Sequence, residues 1–169
     1  MGMMFFIAAA ALLSNLWTYS RLTHEVEVAT ISFQRLAPMQ YQATFAEPDK
    51  QPRQFVLHGD EWQLDTRIVK WKGWVNLLGR HTLFELDRLS GRYRDPKLAR
   101  QSPVSIADLR GEHWLDIWQW ARDYPDYVIL IDAQYGSSVF LPMRDQASYR
   151  ITMGPSGVLA RPVQVRQQI

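Results

Sequence analysis

"HGDEWQLDTRIVKWKGW", residues 58–74, is the stretch on which the fold reading turns. It sets Trp62, Trp71 and Trp74 among Asp60, Glu61, Asp65, Arg67, Lys70 and Lys72. In an extended chain Trp62, Leu64, Thr66 and Ile68 share one face, and Val69 and Trp71 fall on the other. Trp62 and Trp71 lie an odd number of positions apart, so one regular strand cannot send both into one core. A bulge near Ile68–Val69 would reset the phase. "GWVNLLG", 73–79, then places Trp74, Leu77 and Leu78 on one helical face, with Gly79 at the helix end. The stretch thus reads as a bent strand running into a short helix that covers Trp71. Buried aromatics dominate core energetics, which favours a core role over an exposed aromatic shelf.

The same alternation extends upstream. "VEVATISF", 26–33, and "MQYQATF", 39–45, read as half-buried strands, and "QFVLHGDEWQL" reads as a hairpin about Gly59-Asp60. Downstream, "TLFELDRLSGRYRD", 82–95, reads as a strand or hairpin with Ser90-Gly91 as its turn. "DPKLARQSPVS" is polar, holds two prolines and reads as a surface loop. From about 112 to 123 Trp114, Ile117, Trp118 and Ala121 form one stripe of a main helix that Pro125 ends. "YVILI", 127–131, and "SSVFLPM" are strand candidates, and "SYRITMGPSGVLARPV" is a closing hairpin. The expected class is α+β: an antiparallel sheet with one main and one short helix.

"MMFFIAAAALLSNLWTY", residues 3–19, carries no charge. As a helix it spans roughly 25 Å, slightly less than a ~30 Å hydrocarbon core. Trp17 and Tyr19 fall where interfacial aromatics belong, and Arg21 follows. The expectation is a transmembrane anchor over 1–21, with one α+β domain over 22–169. A cleaved signal peptide and a buried helix are the alternatives. The anchor implies the lipid bilayer as a partner and a single-pass place in a bacterial inner membrane. Export of the rest of the chain would put the domain in the periplasm.

Composition narrows the chemistry. The chain has 169 residues, 12% of them aromatic, which is ample bulk for one core. A net charge of +2 is too small for a typical nucleic-acid binder. There is no cysteine, so disulfides, thiolate metal sites and cysteine nucleophiles are excluded. His24, His58, His81 and His113 show no ligand spacing, and no phosphate-binding glycine loop exists. The serines of "YGSSVF" lack the second glycine of a hydrolase elbow. No cofactor and no metal are therefore expected. Glu85 and Asp87, two apart, share a strand face and are the one pair suited to acid–base work. Arg88, Arg92 and Arg94 stand near by and would neutralise them on a solvated face. Asp60, Glu61 and Asp65 take the same solvated reading.

"LHGDEWQLDTRIVKWKGWVNLLG", "ELDRLSGRYRD" and "YGSSVFLPM" resemble a group of small proteobacterial membrane-anchored proteins. These are often labelled "cation/multidrug efflux pump" or "multidrug transporter". A pump needs several spanning helices around a pathway, and this chain has one candidate span. The resemblance therefore implies at most an accessory of a transport system. Two function classes remain. The first is a membrane-tethered, non-catalytic envelope domain that binds an unknown protein partner. The second is an anchored enzyme or small-ligand binder using Trp62, Trp71, Trp74, Glu85 and Asp87.

Overall fold

The computed structural model describes residues 25–71, 83–111, 123–124 and 131–163, giving the backbone alone for 71 and 131–135. In chain order the strands are β1 (Val26–Ala37), β2 (Gln40–Ala46), β3 (Arg53–His58), β4 (Glu61–Trp71) and β5 (Leu83–Arg92). After a helix α1 (Pro96–Gln101) come β6 (Ile106–Asp108), β7 (Ile131–Pro142), β8 (Ser148–Gly154) and β9 (Gly157–Pro162). They form a five-stranded sheet ordered β3-β2-β1-β8-β9 and a four-stranded sheet ordered β6-β5-β4-β7. Every pairing is antiparallel.

Period-two alternation explains how the sheets meet. Ala29, Ile31 and Phe33 of β1, Ala43 and Phe45 of β2, and Tyr149, Ile151 and Met153 of β8 turn inward and are buried. From the other sheet Trp62, Leu64, Thr66 and Ile68 of β4 and Leu86 and Leu89 of β5 turn towards them. The two inner faces make one core, as in a β-sandwich. Trp62 is its centrepiece, with ring centroids 6.0 Å from Phe33 and 5.5 Å from Tyr149.

The described residues are mostly β, in two antiparallel sheets, which corrects the α+β expectation. The one helix lying wholly within the described residues is α1, six residues long, within the stretch expected to be a loop. Asp95 caps it, accepting from the Lys97 amide, and Pro96 opens it. The expected helix at 73–79 and the expected anchor at 1–21 lie outside the described residues, as does the main helix expected at 112–123 except for Asp123, which is helical. No helix of the described residues is long and apolar enough to cross a membrane. The expected single-pass anchoring in an inner membrane is thus not supported.

Two expected turns are something else. β3 and β4 do not pair, so Gly59-Asp60 is not a hairpin turn but a corner where the chain changes sheets. Gly59 has φ 131°, a backbone conformation that favours glycine, and lies on the Arg92 carbonyl. Ser90-Gly91 is not a turn either, because β5 runs through it. The His58 carbonyl and Ser105 Oγ crowd Gly91 where the sheets converge, and a Cβ there would overlap both. On the other flank Val158 of β9 donates its amide to Ser137 Oγ of β7 at 3.1 Å. The chain returns to the first sheet through 143–147, and Met143 donates its amide to the Asp60 carbonyl at 2.8 Å.

The phase break expected near Ile68–Val69 is absent from β4. Its partners absorb the irregularity instead. Asp87 is the extra residue where Asp65 and Thr66 face Arg88 and Leu86. Asp132 is the extra one where Lys70 and Trp71 face Ala133 and Ile131.

Candidate functional site

The outer face of the four-stranded sheet gathers most of the charge near the middle of the chain. β4 presents Glu61, Gln63, Asp65 and Arg67 there, because alternate residues point away from the core. β5 runs antiparallel, so Arg92 faces Glu61 and Arg88 faces Asp65. On the other side β7 sets Phe140 beside Gln63 and Ser138 beside Asp65.

Two carboxylates are sunk beneath this face. Asp65 accepts from Arg88 Nε at 2.5 Å, Ser138 Oγ at 2.5 Å and Gln63 Nε2 at 2.8 Å. Burial alone pushes its pKa up, but the bonds from Ser138, Arg88 and Gln63 outweigh burial and hold it below the ordinary value. The bond to Asp65 raises the Arg88 pKa in turn. Glu61 accepts from Arg94 Nε at 3.2 Å and has Arg92 Nε at 3.6 Å. The arginines stay in solvent: the side chain of Arg88 is 54% exposed and that of Arg94 67%, against 12% for Asp65 and 9% for Glu61. Arg92 also lies over the Phe140 ring, 4.2 Å from its centroid, and that ring is itself half exposed.

A second chain of charge runs towards the β6 edge. The bulge turns Asp87 outward, where Arg67 Nε reaches it at 2.9 Å and Arg110 Nε at 3.8 Å. Arg110 also grips Asp108 through Nη2 at 2.6 Å. That side-chain bond, backed by the Arg110 amide, draws the Asp108 pKa down to about 2.

The residues singled out from sequence are dispersed. Trp62 is fully enclosed in the core, so it cannot line a shelf. Trp71 ends β4 opposite Ile131, and Trp74 lies outside the described residues. Glu85 faces Arg67 across the ladder, so it shares the outer face with Asp87. The arginines expected to neutralise that pair serve Asp65 and Glu61 instead, and Arg67 and Arg110 serve Asp87. Sequence reading missed Glu61 and Asp65 as buried groups, and Ser138 and Phe140 as their neighbours. The available signal was spacing: the acids stand four apart on β4, and Arg88 and Arg92 four apart on β5.

This arrangement suits electrostatic recognition more than proton transfer. A general acid or base works best with a pKa near the working pH, and Asp65 and Asp108 are moved the other way. Among the described residues no three His, Asp or Glu side chains are grouped to hold a metal ion. Comparison of the chain with protein-family models, with curated proteins and with solved structures finds no match.

Proposed function

We propose that this chain is a non-catalytic interaction domain that binds an acidic stretch of a protein partner across the outer face of its four-stranded sheet. The observation that carries this reading is the depth difference between arginines and carboxylates. Glu61 and Asp65 fix the guanidinium groups from below while Arg88, Arg92 and Arg94 remain largely in solvent. Each guanidinium has five N–H donors in a fixed fork, and a carboxylate below occupies only part of it. The face therefore shows a partner mainly positive charge, although its ion pairs nearly balance. Ile106 and Phe140, both well exposed, add apolar contact beside the arginines. The resemblance to transporter-labelled proteins fits an accessory role of this kind. Against the enzyme or small-ligand alternative stand the enclosure of Trp62 and the pairing of Asp87 with two arginines.

A photo-crosslinking amino acid at position 106 or 140, introduced in the native cell, tests the reading. Both positions should capture one protein through an acidic segment, and R92Q/R94Q should abolish the capture. Position 56, exposed on the other sheet, should not capture it. Equal capture from all three positions, or none from any, would overturn the proposal.

A further inference from the structure

A separate polar site lies on the outer face of the five-stranded sheet, where β1 begins. The register sets Arg150 of β8 directly opposite Arg161 of β9. Like charges so placed destabilise a ladder, and anions between them relieve it. Two carboxylates do so here. Glu27 of β1 meets Arg150 at 3.2 Å. Glu25, one residue before β1, accepts from Arg161 Nη1 at 2.6 Å and Nη2 at 3.0 Å, one bond to each oxygen. Thr152 Oγ1 donates to the same carboxylate at 2.9 Å and accepts from Arg161 Nη1 at 3.1 Å. Thr152 is itself buried, so its hydroxyl is a fixed point of the site.

A guanidinium fork and a hydroxyl converging on one carboxylate is the geometry by which proteins recognise carboxylate ligands. The carboxylate present belongs to a residue outside the ladder, since pairing with β8 starts at Val26. Glu25 therefore holds its place through side-chain bonds and not through strand pairing. Glu25, Thr152 and Arg161, with Glu27, Arg150, Pro162 and Val163, line an open groove of about 610 Å³. That is within the range of small-ligand sites.

We propose that this groove binds carboxylate ligands and that Glu25 occupies it in cis, to be displaced by an external carboxylate. A tethered competitor acts at an effective concentration in the millimolar range, so the intact chain should bind such ligands weakly. Removing Glu25 leaves two arginines facing one carboxylate and uncovers the affinity.

Isothermal titration of the full chain with glutarate, and separately with N-acetyl-Ala-Glu, provides the test. E25A should bind at least one probe tenfold or more tightly than the unaltered chain, and E25A/R161Q should lose the gain. A gain with glutarate alone assigns the site to free diacids; a gain with the peptide assigns it to peptide carboxylates. Unchanged affinity for both probes in E25A, or a gain that survives R161Q, overturns the proposal. Should E25A fail to fold, the Arg161 Nε–H resonance of the unaltered chain gives the second measurement. It should shift saturably with millimolar glutarate, and the absence of such a shift overturns the proposal equally.

Discussion

Asp65 loses most of its water on entering the outer face of β4, which by itself raises a carboxyl pKa. Three donors reverse that, and they set the sign of the pH effect. A carboxyl whose folded pKa lies below its unfolded value of about 3.9 binds more protons when the chain unfolds. Its stabilisation is fully present above that value and is lost as pH falls through the folded pKa. Asp108, drawn to about 2, behaves the same way. The melting temperature should thus stay level above about pH 5 and fall steadily from about pH 4 towards pH 2. In calorimetry the slope should be shallower for D65N and for D108N. In R88Q the Asp65 carboxyl should titrate higher by NMR, since one of its charge-assisted bonds is gone. The pairing behind this effect was partly legible. Glu61 and Asp65 match Arg92 and Arg88 in spacing, and the β4–β5 register sets each acid opposite its arginine. Their burial was not legible, because Ser138 comes from a strand more than seventy residues away.

At the scale of elements, alternation of apolar and polar residues disclosed most strands, including β1, β2 and the β8–β9 hairpin. It misread the glycines between them. A Gly-Asp or Ser-Gly pair is a turn signal, yet the same residues serve where two backbones touch. Gly91 separates the readings experimentally. In a solvent-exposed turn without positive φ, G91A would be nearly neutral. In the seam the new methyl meets the His58 carbonyl and Ser105 Oγ, and Ser105 Oγ already accepts the His58 amide at 2.8 Å. We expect G91A to cost about 1–3 kcal/mol by urea denaturation, in line with overpacking elsewhere. The parity argument on Trp62 and Trp71 expected a break near Ile68–Val69. It placed the break in β4, whereas Asp87 and Asp132 carry it in the neighbours. A pattern read along one strand cannot tell which partner bends.

For the molecule as a whole, the layers were harder to read than the elements. Periodicity reports a strand's own faces, but whether a second sheet or a helix covers the inner one depends on contacts distant in sequence. Trp62 is where that distance closes, since it joins β4 to Phe33 of β1 and Tyr149 of β8. W62A should therefore cost about 3–5 kcal/mol, a large share of a total of about 5–15 kcal/mol, and should loosen both sheets together. Urea denaturation followed by far-ultraviolet and near-ultraviolet circular dichroism measures both effects, and a change under about 1 kcal/mol would contradict this role. The hydrogen bond from the Met143 amide to the Asp60 carbonyl has a different kind of consequence. It ties together the two corners by which the chain passes between sheets, and both lie where β4 begins and β7 ends. The connections after β4 and before β7 attach at the opposite end. Extra length is tolerated where backbone is not already committed. A peptide inserted between Gly59 and Glu61 would pull the corners apart and break the bond that joins them. The sandwich thus has an end, at these two corners, that resists lengthening, and a reporter or a new terminus does not belong there.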